Sequence, residues 1–221
     1  MLPLWSLPAA GDTVRLRCGN AEVSVSGADS REQALICDAA KGAAEFLGTL
    51  GLTRAGAVEI EVVDQIPEGL KLASGCYDWR VDVVSILGAE NCAAMWGGKE
   101  FFRVPYERDI YKSFAAHEVA HAIAAANFEG FMPTVTTQEY IAAVTQLGTM
   151  EAALRNRILA EFEGDGFDEA SEISLLYYQI DPARFIVECY RHYAKHENGP
   201  EFIRRLMRGD TVLSDGQIYL Q

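Results

Sequence analysis

Basic residues are scarce in this chain: 19 Lys and Arg stand against 32 Asp and Glu, a formal charge of −13 over 221 residues. No basic cluster is large enough to follow a phosphate backbone, so the composition disfavours a nucleic-acid partner. The densest basic stretch, Arg204, Arg205 and Arg208, falls in a short predicted helix near the C-terminus and complements that helix's negative end. Long apolar runs are missing as well. None reaches the roughly 18–20 residues that a membrane-crossing helix needs, so no transmembrane segment is expected. The first ten residues are apolar and end in small side chains but lack a basic start, and they read as the remnant of an export leader.

CxxC pairs are also lacking among the five cysteines, Cys18, Cys37, Cys76, Cys92 and Cys189. Cys18 precedes a predicted turn and Cys37 lies in the next helix, while Cys76 and Cys92 bracket a predicted strand. Two local disulfides are therefore expected, with Cys189 unpaired; the competing reading is five small buried thiols in a reducing compartment. The disulfide reading points to a periplasmic or secreted protein.

What remains is ordinary globular material, with 49% apolar and 23% charged residues and enough length for one sizeable core. We expect a single domain over 1–221, with a strand-rich lobe over 1–105 and a helical lobe over 106–221. Residues 13–27 alternate apolar and polar positions around Gly19-Asn20, which predicts a hairpin. Ser30 then serves as N-cap of a helix whose apolar positions run from Leu35 to Leu50 at helical spacing, with Gly51 as its stop. Residues 58–63 and the stretch 76–87 predict two further strands, and 88–96 a short helix before Gly97-Gly98. From about residue 107 onward the pattern is helix after helix, interrupted at 130–135, 148, 164–166, 181–182 and 198–200. Strands first and helices second predict an α+β fold: a small N-terminal sheet with a helix, followed by a mostly helical lobe.

Histidine is the rarest chemically versatile residue here. Two of only four sit in His117-Glu118-Val119-Ala120-His121, inside a predicted helix over 106–127. Residues four apart on a helix stand one turn above each other, so both imidazoles reach one tetrahedral metal ion. Glu118 follows the first imidazole and projects beside the ion, where a carboxylate can take a proton from activated water. A catalytic zinc site needs a third protein ligand. Glu139, eighteen residues after His121 on the next predicted helix, is the candidate, ahead of Glu129, Glu151 and Asp165. A second reading of Glu139 stays open: with Thr136 as N-cap it completes a capping box and bonds only a backbone N–H.

This pattern resembles the gluzincin branch of the zincin metallopeptidases, including peptidase MA-like proteins. The match covers residues 111–147, and the helices after residue 183 look similar to the tail of peptidase MA-like chains. The resemblance implies a zincin-like helical lobe, zinc held by His117, His121 and Glu139, Glu118 as general base, and a peptide or protein substrate. It also implies a Tyr or His that steadies the oxyanion. Tyr177, Tyr178, Tyr190, His192, Tyr193 and His196 all lie in the late helices, and Tyr190 or His192 is favoured. His192 and His196 are themselves four apart, but beside Lys195 and Glu197 they read as a solvated helix face rather than a second metal site. A binding protein that keeps the fold without turnover, and a zinc hydrolase of small amides or esters, stay open as alternatives.

Overall fold

In the computed structural model, residues 17–18, 21–66, 73–96, 100–195 and 199–216 are described. The leader-like segment 1–10, the turn Gly19-Asn20, Gly97-Gly98 and His196 lie outside them. The architecture is α+β, as the order of sequence patterns predicts. Five strands, β1 (Arg17–Cys18), β2 (Ala21–Ser26), β3 (Val58–Val63), β4 (Gly75–Asp78) and β5 (Val83–Leu87), form one sheet in the order β1-β2-β3-β5-β4. β2, β3 and β5 run parallel, whereas β1 and β4 pair antiparallel at the two edges.

Alternation decides which face is covered. Val23, Val25, Val58, Ile60, Val84 and Ile86 are buried, whereas Glu59 and Glu61 on the opposite face of β3 are exposed. The buried face is covered by α1 (Ser30–Thr49) and α3 (Arg108–Ala125), with α2 (Ala89–Trp96) between the sheet and α3 in the chain. Asp29, not Ser30, caps α1, because its carboxylate accepts from the N–H groups of Arg31 and Glu32. Gly51, at φ 86°, follows the C-cap Leu50 in the left-handed conformation that ends helices. Glu32 ties three helices together: its Oε1 accepts from the Ala89 N–H at the start of α2 at 2.6 Å and from the Tyr111 hydroxyl of α3 at 2.7 Å.

The stretch 76–87 is a hairpin rather than one strand. Asp78 accepts from the Arg80 N–H, Asp82 takes φ 58°, and Val81 is left exposed in the turn. An Asp two residues before a tightening chain is the turn signal that the Val-rich pattern hides. The sulfur chemistry divides in the same region. Cys18 and Cys37 form a disulfide across 19 residues, a closure that constrains the unfolded chain by about 3 kcal/mol. Cys76 and Cys92 are free. Cys92 is carried by α2 into the core beside Tyr106 and Ser74, whereas Cys76 stays half-buried on β4, so bracketing a strand does not aim the two thiols at each other.

The helical half adds α4 (Val135–Gly148), α5 (Ala152–Ala160), α6 (Leu175–Ile180), α7 (Pro182–Ala194) and α8 (Gly199–Arg208). α3 is buried along almost its whole length from Ile110 to Ala124, the signature of a helix surrounded by other elements. Its alanines let α1 and α4 approach closely on two sides while β4 and β5 pack on a third. Two devices finish its C-terminal end: Arg54 donates to the Ala122 carbonyl at 3.0 Å, and Asn127 exchanges hydrogen bonds with the Thr53 backbone.

α4 is capped by Thr134, whose hydroxyl accepts from the Thr137 N–H, so Thr136 is not the N-cap. The chain's final described segment closes over the same end. Asp215 accepts from the N–H groups of Val135 and Thr136 at 3.1 and 2.8 Å and from the Thr136 hydroxyl, and Thr134 donates to the Leu213 carbonyl at 2.6 Å. A carboxylate at a helix N-terminus satisfies orphan donors and meets the positive end of the dipole. Asp215→Ala is therefore expected to cost about 1 kcal/mol and to lower the midpoint of thermal unfolding by about 2–4 °C. Calorimetric scans of the two proteins check this, and an unchanged midpoint would show that the tail adds nothing to α4.

Candidate metal centre

Helical spacing places His117 and His121 one turn apart on α3, and both are buried to 8% exposure. Their Nε2 atoms lie 3.2 Å apart. α4 crosses beside them and brings in Glu139, whose Oε2 lies 3.2 Å from His117 Nε2 and whose Oε1 lies 3.6 Å from His121 Nε2. These three residues form a cluster able to hold a metal ion, with all ligand atoms within 4.8 Å of one another. Donors at 2.0–2.1 Å from a tetrahedral ion stand about 3.3–3.4 Å from each other, so the observed separations fit one ion between them.

The donor chemistry points the same way. His117 Nδ1 lies 2.9 Å from Gln146 Oε1, an oxygen that only accepts, so the ring carries a proton at Nδ1 and turns Nε2 toward Glu139. Glu139 Oε2 is buried and finds no donor among the described residues. Lone pairs and carboxylate oxygens that face one another in a dry pocket are repulsive unless a cation or a proton sits among them.

Charge states follow from the same contacts. Burial works against protonation of His117, but the Glu139 carboxylate, with Glu118 and the Gln146 oxygen, outweighs it and holds its pKa above the ordinary value. His121 is pushed down to about 4, chiefly by burial, and is neutral at pH 7. Burial opposes ionisation of Glu139, yet His121, His117 and the Tyr178 hydroxyl together keep it below the usual carboxylate range. The site thus offers neutral or metal-ready imidazole and ionised carboxylate near neutral pH, the states that ligation requires.

Glu118 occupies the other side of α3, against the edge strand. A Cβ on Gly75 would stand 2.5 Å from Glu118 Cγ, so β4 reaches the helix only because position 75 has no side chain. Burial raises the Glu118 pKa to about 7; His117 and the main chain of Tyr77 pull it down and Glu139 pushes it up. A carboxyl group with that value gains and loses protons readily at neutral pH.

The structure does not bring Tyr190 or His192 to this cluster. Tyr190 lies on α7 with its ring against the Arg155 guanidinium. His192 is 1% exposed rather than solvated: its Nδ1 meets the Tyr140 hydroxyl at 2.6 Å and its ring packs on Phe202, so it joins α4 to α7 and α8 through the core. Tyr178, on the short helix α6, is the late aromatic at the site. Burial together with the Glu139 and Glu118 charges holds its hydroxyl's pKa well above the ordinary value, so it stays a proton donor. Tyr178 stands among the aromatics that the sequence offers, but only the packing of α6 on α4 singles it out. Two participants carry no sequence pattern: Gly75, one glycine among many, and Gln146, an amide within an apolar helix.

A family model described as "Family of unknown function (DUF6639)" matches residues 23–216, which include every residue of the cluster. Neither a curated protein nor a solved structure matches the chain.

The raised Glu118 pKa sets a dependence of stability on pH. Between 4.5 and about 7 the folded, metal-free chain keeps a proton that the unfolded chain has released. Its contribution is intact below pH 4.5 and is lost as pH rises through 7. Glu118→Gln removes that loss, so the variant should gain about 3 kcal/mol relative to the parent across this window. Urea unfolding of chelator-treated protein at successive pH values measures it. A constant gap between the two proteins would show that the carboxyl does not titrate as a buried group.

Proposed function

We propose that this chain, which belongs to the DUF6639 family, is a zinc-dependent hydrolase of the metallopeptidase type that cleaves peptide bonds. The observation that carries the reading is the convergence of His117, His121 and Glu139 with a fourth group, Glu118, that is buried beside them yet is not a ligand. A purely structural zinc site closes with four protein ligands and has no use for a neighbouring base; a catalytic one keeps a position open.

When bound there, zinc would supply a Lewis acid that polarises the substrate carbonyl and makes water easier to deprotonate. Glu118 takes the proton of the attacking water and passes it to the departing amine. The Tyr178 hydroxyl, which burial keeps protonated, is the donor at hand for charge that develops on the carbonyl oxygen. Gly75 makes room for the Glu118 side chain directly against the edge strand, beside which substrate would lie.

A peptide substrate is supported by β4 itself. Leu87 N–H donates to the Ser74 carbonyl, and the antiparallel register then directs the main-chain groups of Cys76 toward β5 and those of Gly75 and Tyr77 away from the sheet. An extended chain can add to such an edge by main-chain hydrogen bonds, next to Glu118. The Cys18–Cys37 disulfide supports an oxidising location, periplasmic or secreted, and among the described residues no helix is long and apolar enough to cross a membrane.

Digestion of a peptide library with and without chelator tests the activity. Glu118→Gln should lose about 10²–10⁴-fold in turnover while keeping one zinc per chain, and Glu139→Ala should lose the zinc itself by elemental analysis. Tyr178→Phe should lower kcat about 10²-fold with zinc content unchanged. Undiminished hydrolysis by Glu118→Gln would remove the assigned base and the mechanism with it.

A further inference from the structure

Gln146 is 1% exposed on α4, in a stretch where Ile141, Ala142, Ala143, Val144 and Leu147 are apolar and buried. A primary amide placed there without partners costs several kcal/mol in lost hydration, so its hydrogen bonds determine how it sits. It has two. Its Nε2 donates to Ser113 Oγ at 3.1 Å, and its Oε1 meets His117 Nδ1 at 2.9 Å.

The direction of this chain can be traced from its far end. The Ser113 hydroxyl has one proton and donates it to the Ile110 carbonyl one turn back on α3, at 2.8 Å. Its oxygen is then left to accept, and it accepts from the Gln146 amide N–H. That orientation turns the amide oxygen toward His117, and an oxygen acceptor demands a proton on Nδ1. Nδ1 is engaged in this way whether the ring is neutral or charged, so Nε2 is the position at which a proton and a metal compete. Gln146 has no ligand atom in the cluster, and among the described residues its side chain hydrogen-bonds Ser113 and His117, so its effect passes through His117.

We infer that Gln146 is a positioning residue: anchored by Ser113, it fixes the Nδ1–H tautomer and the ring orientation of His117, and so presents Nε2 as a ready ligand. The inference rests on the metal-site reading proposed above but not on hydrolysis. Outer partners of ligating histidines change metal affinity by about 10–100-fold. Gln146→Leu, similar in volume and without an acceptor, is therefore expected to weaken zinc or cobalt binding by about 10–100-fold in chelator competition. Gln146→Glu, which restores an acceptor at the same place, is expected to recover most of it. A role in packing alone predicts the reverse order, because leucine suits an apolar helix interface better than a second buried carboxylate.

The tautomer itself is read without any metal. Long-range proton–nitrogen NMR of the chelator-treated parent, with the signal assigned by its absence in His117→Ala, should show Nδ1 protonated throughout a pH titration, with Nε2 the nitrogen that loses its proton as pH rises. A neutral parent ring that keeps its proton at Nε2 and leaves Nδ1 bare would overturn the inference whatever the metal does. This measurement does not depend on any Gln146 variant folding. Should the parent show the expected tautomer and yet bind neither zinc nor cobalt, the metal reading fails while the assignment of Gln146 as the partner of His117 stands. Equal metal affinity of the parent and Gln146→Leu would also overturn the inference.

Discussion

Two imidazole nitrogens 3.2 Å apart, each with an oxygen of one carboxylate 3.2–3.6 Å away inside the protein, form the constraint on which the rest of this structure turns. Two imidazole lone pairs and a carboxylate oxygen repel one another, and burial removes the water that would screen them. The arrangement is tolerable only with positive charge at its centre, whether a metal ion or a proton held on His117. Both species compete for the same nitrogen, since the other nitrogen of that ring is committed to Gln146. The elevated pKa of His117 and the depressed one of Glu139 express this single demand for a cation, seen from its two sides.

Holding such a set together takes stability from elsewhere, and the fold supplies it around α3. The helix is enclosed by α1, α4, β4 and β5, so its two histidines cannot turn out to solvent without dismantling the core. Arg54 and Asn127 finish its C-terminal end just beyond His121. α4, which carries Glu139, is held at its start by Asp215 and the Leu213 carbonyl, 79 positions from Thr136 and Thr134, and further along by the contact of Tyr140 with His192. Glu139 lies between these anchors, one residue before Tyr140. Each anchor is a hydrogen bond of modest individual worth, about 1 kcal/mol. Together they keep a carboxylate within bonding distance of two imidazoles that it reaches from a different helix.

How much of this the sequence discloses depends on the distance over which geometry is fixed. His117, Glu118 and His121 are legible because one turn of helix settles their relation without help from tertiary structure. The order of strands and helices is legible for a similar reason, as alternation and helical period are local properties. Glu139 is legible only by elimination, and its competing role as a capping residue is excluded by Thr134, which is two residues earlier than Thr136 and shares its capping chemistry. Tyr178 is not separable from Tyr190 or His192 by pattern, because all three occupy amphipathic helices and only the angle at which α6 meets α4 decides which one points inward. The hairpin at 75–87 is obscured by Val81, a residue of strong strand propensity that sits exposed in a turn. The cysteines show the same limit. Cys18 and Cys37 are joined, and Cys76 and Cys92, equally plausible along the chain, face different neighbours.

Burial has opposite consequences for the two carboxylates of the site, and the difference separates their roles. Glu139 is desolvated but flanked by two imidazoles and a phenol, so it remains ionised and suited to ligate. Glu118 is desolvated with weaker compensation, its nearest positive partner being a histidine already engaged with Glu139, and its pKa rises to about 7. In the metal-free chain two groups of identical chemistry are thereby pushed apart, one toward permanent charge and the other toward proton exchange, as the ligand and base roles proposed for them ask. Gly75 belongs to this division. By omitting a side chain it lets the edge strand close over Glu118 and exclude water from it, and a carboxyl left open to solvent at that point would fall back toward its ordinary value and lose its match to neutral pH.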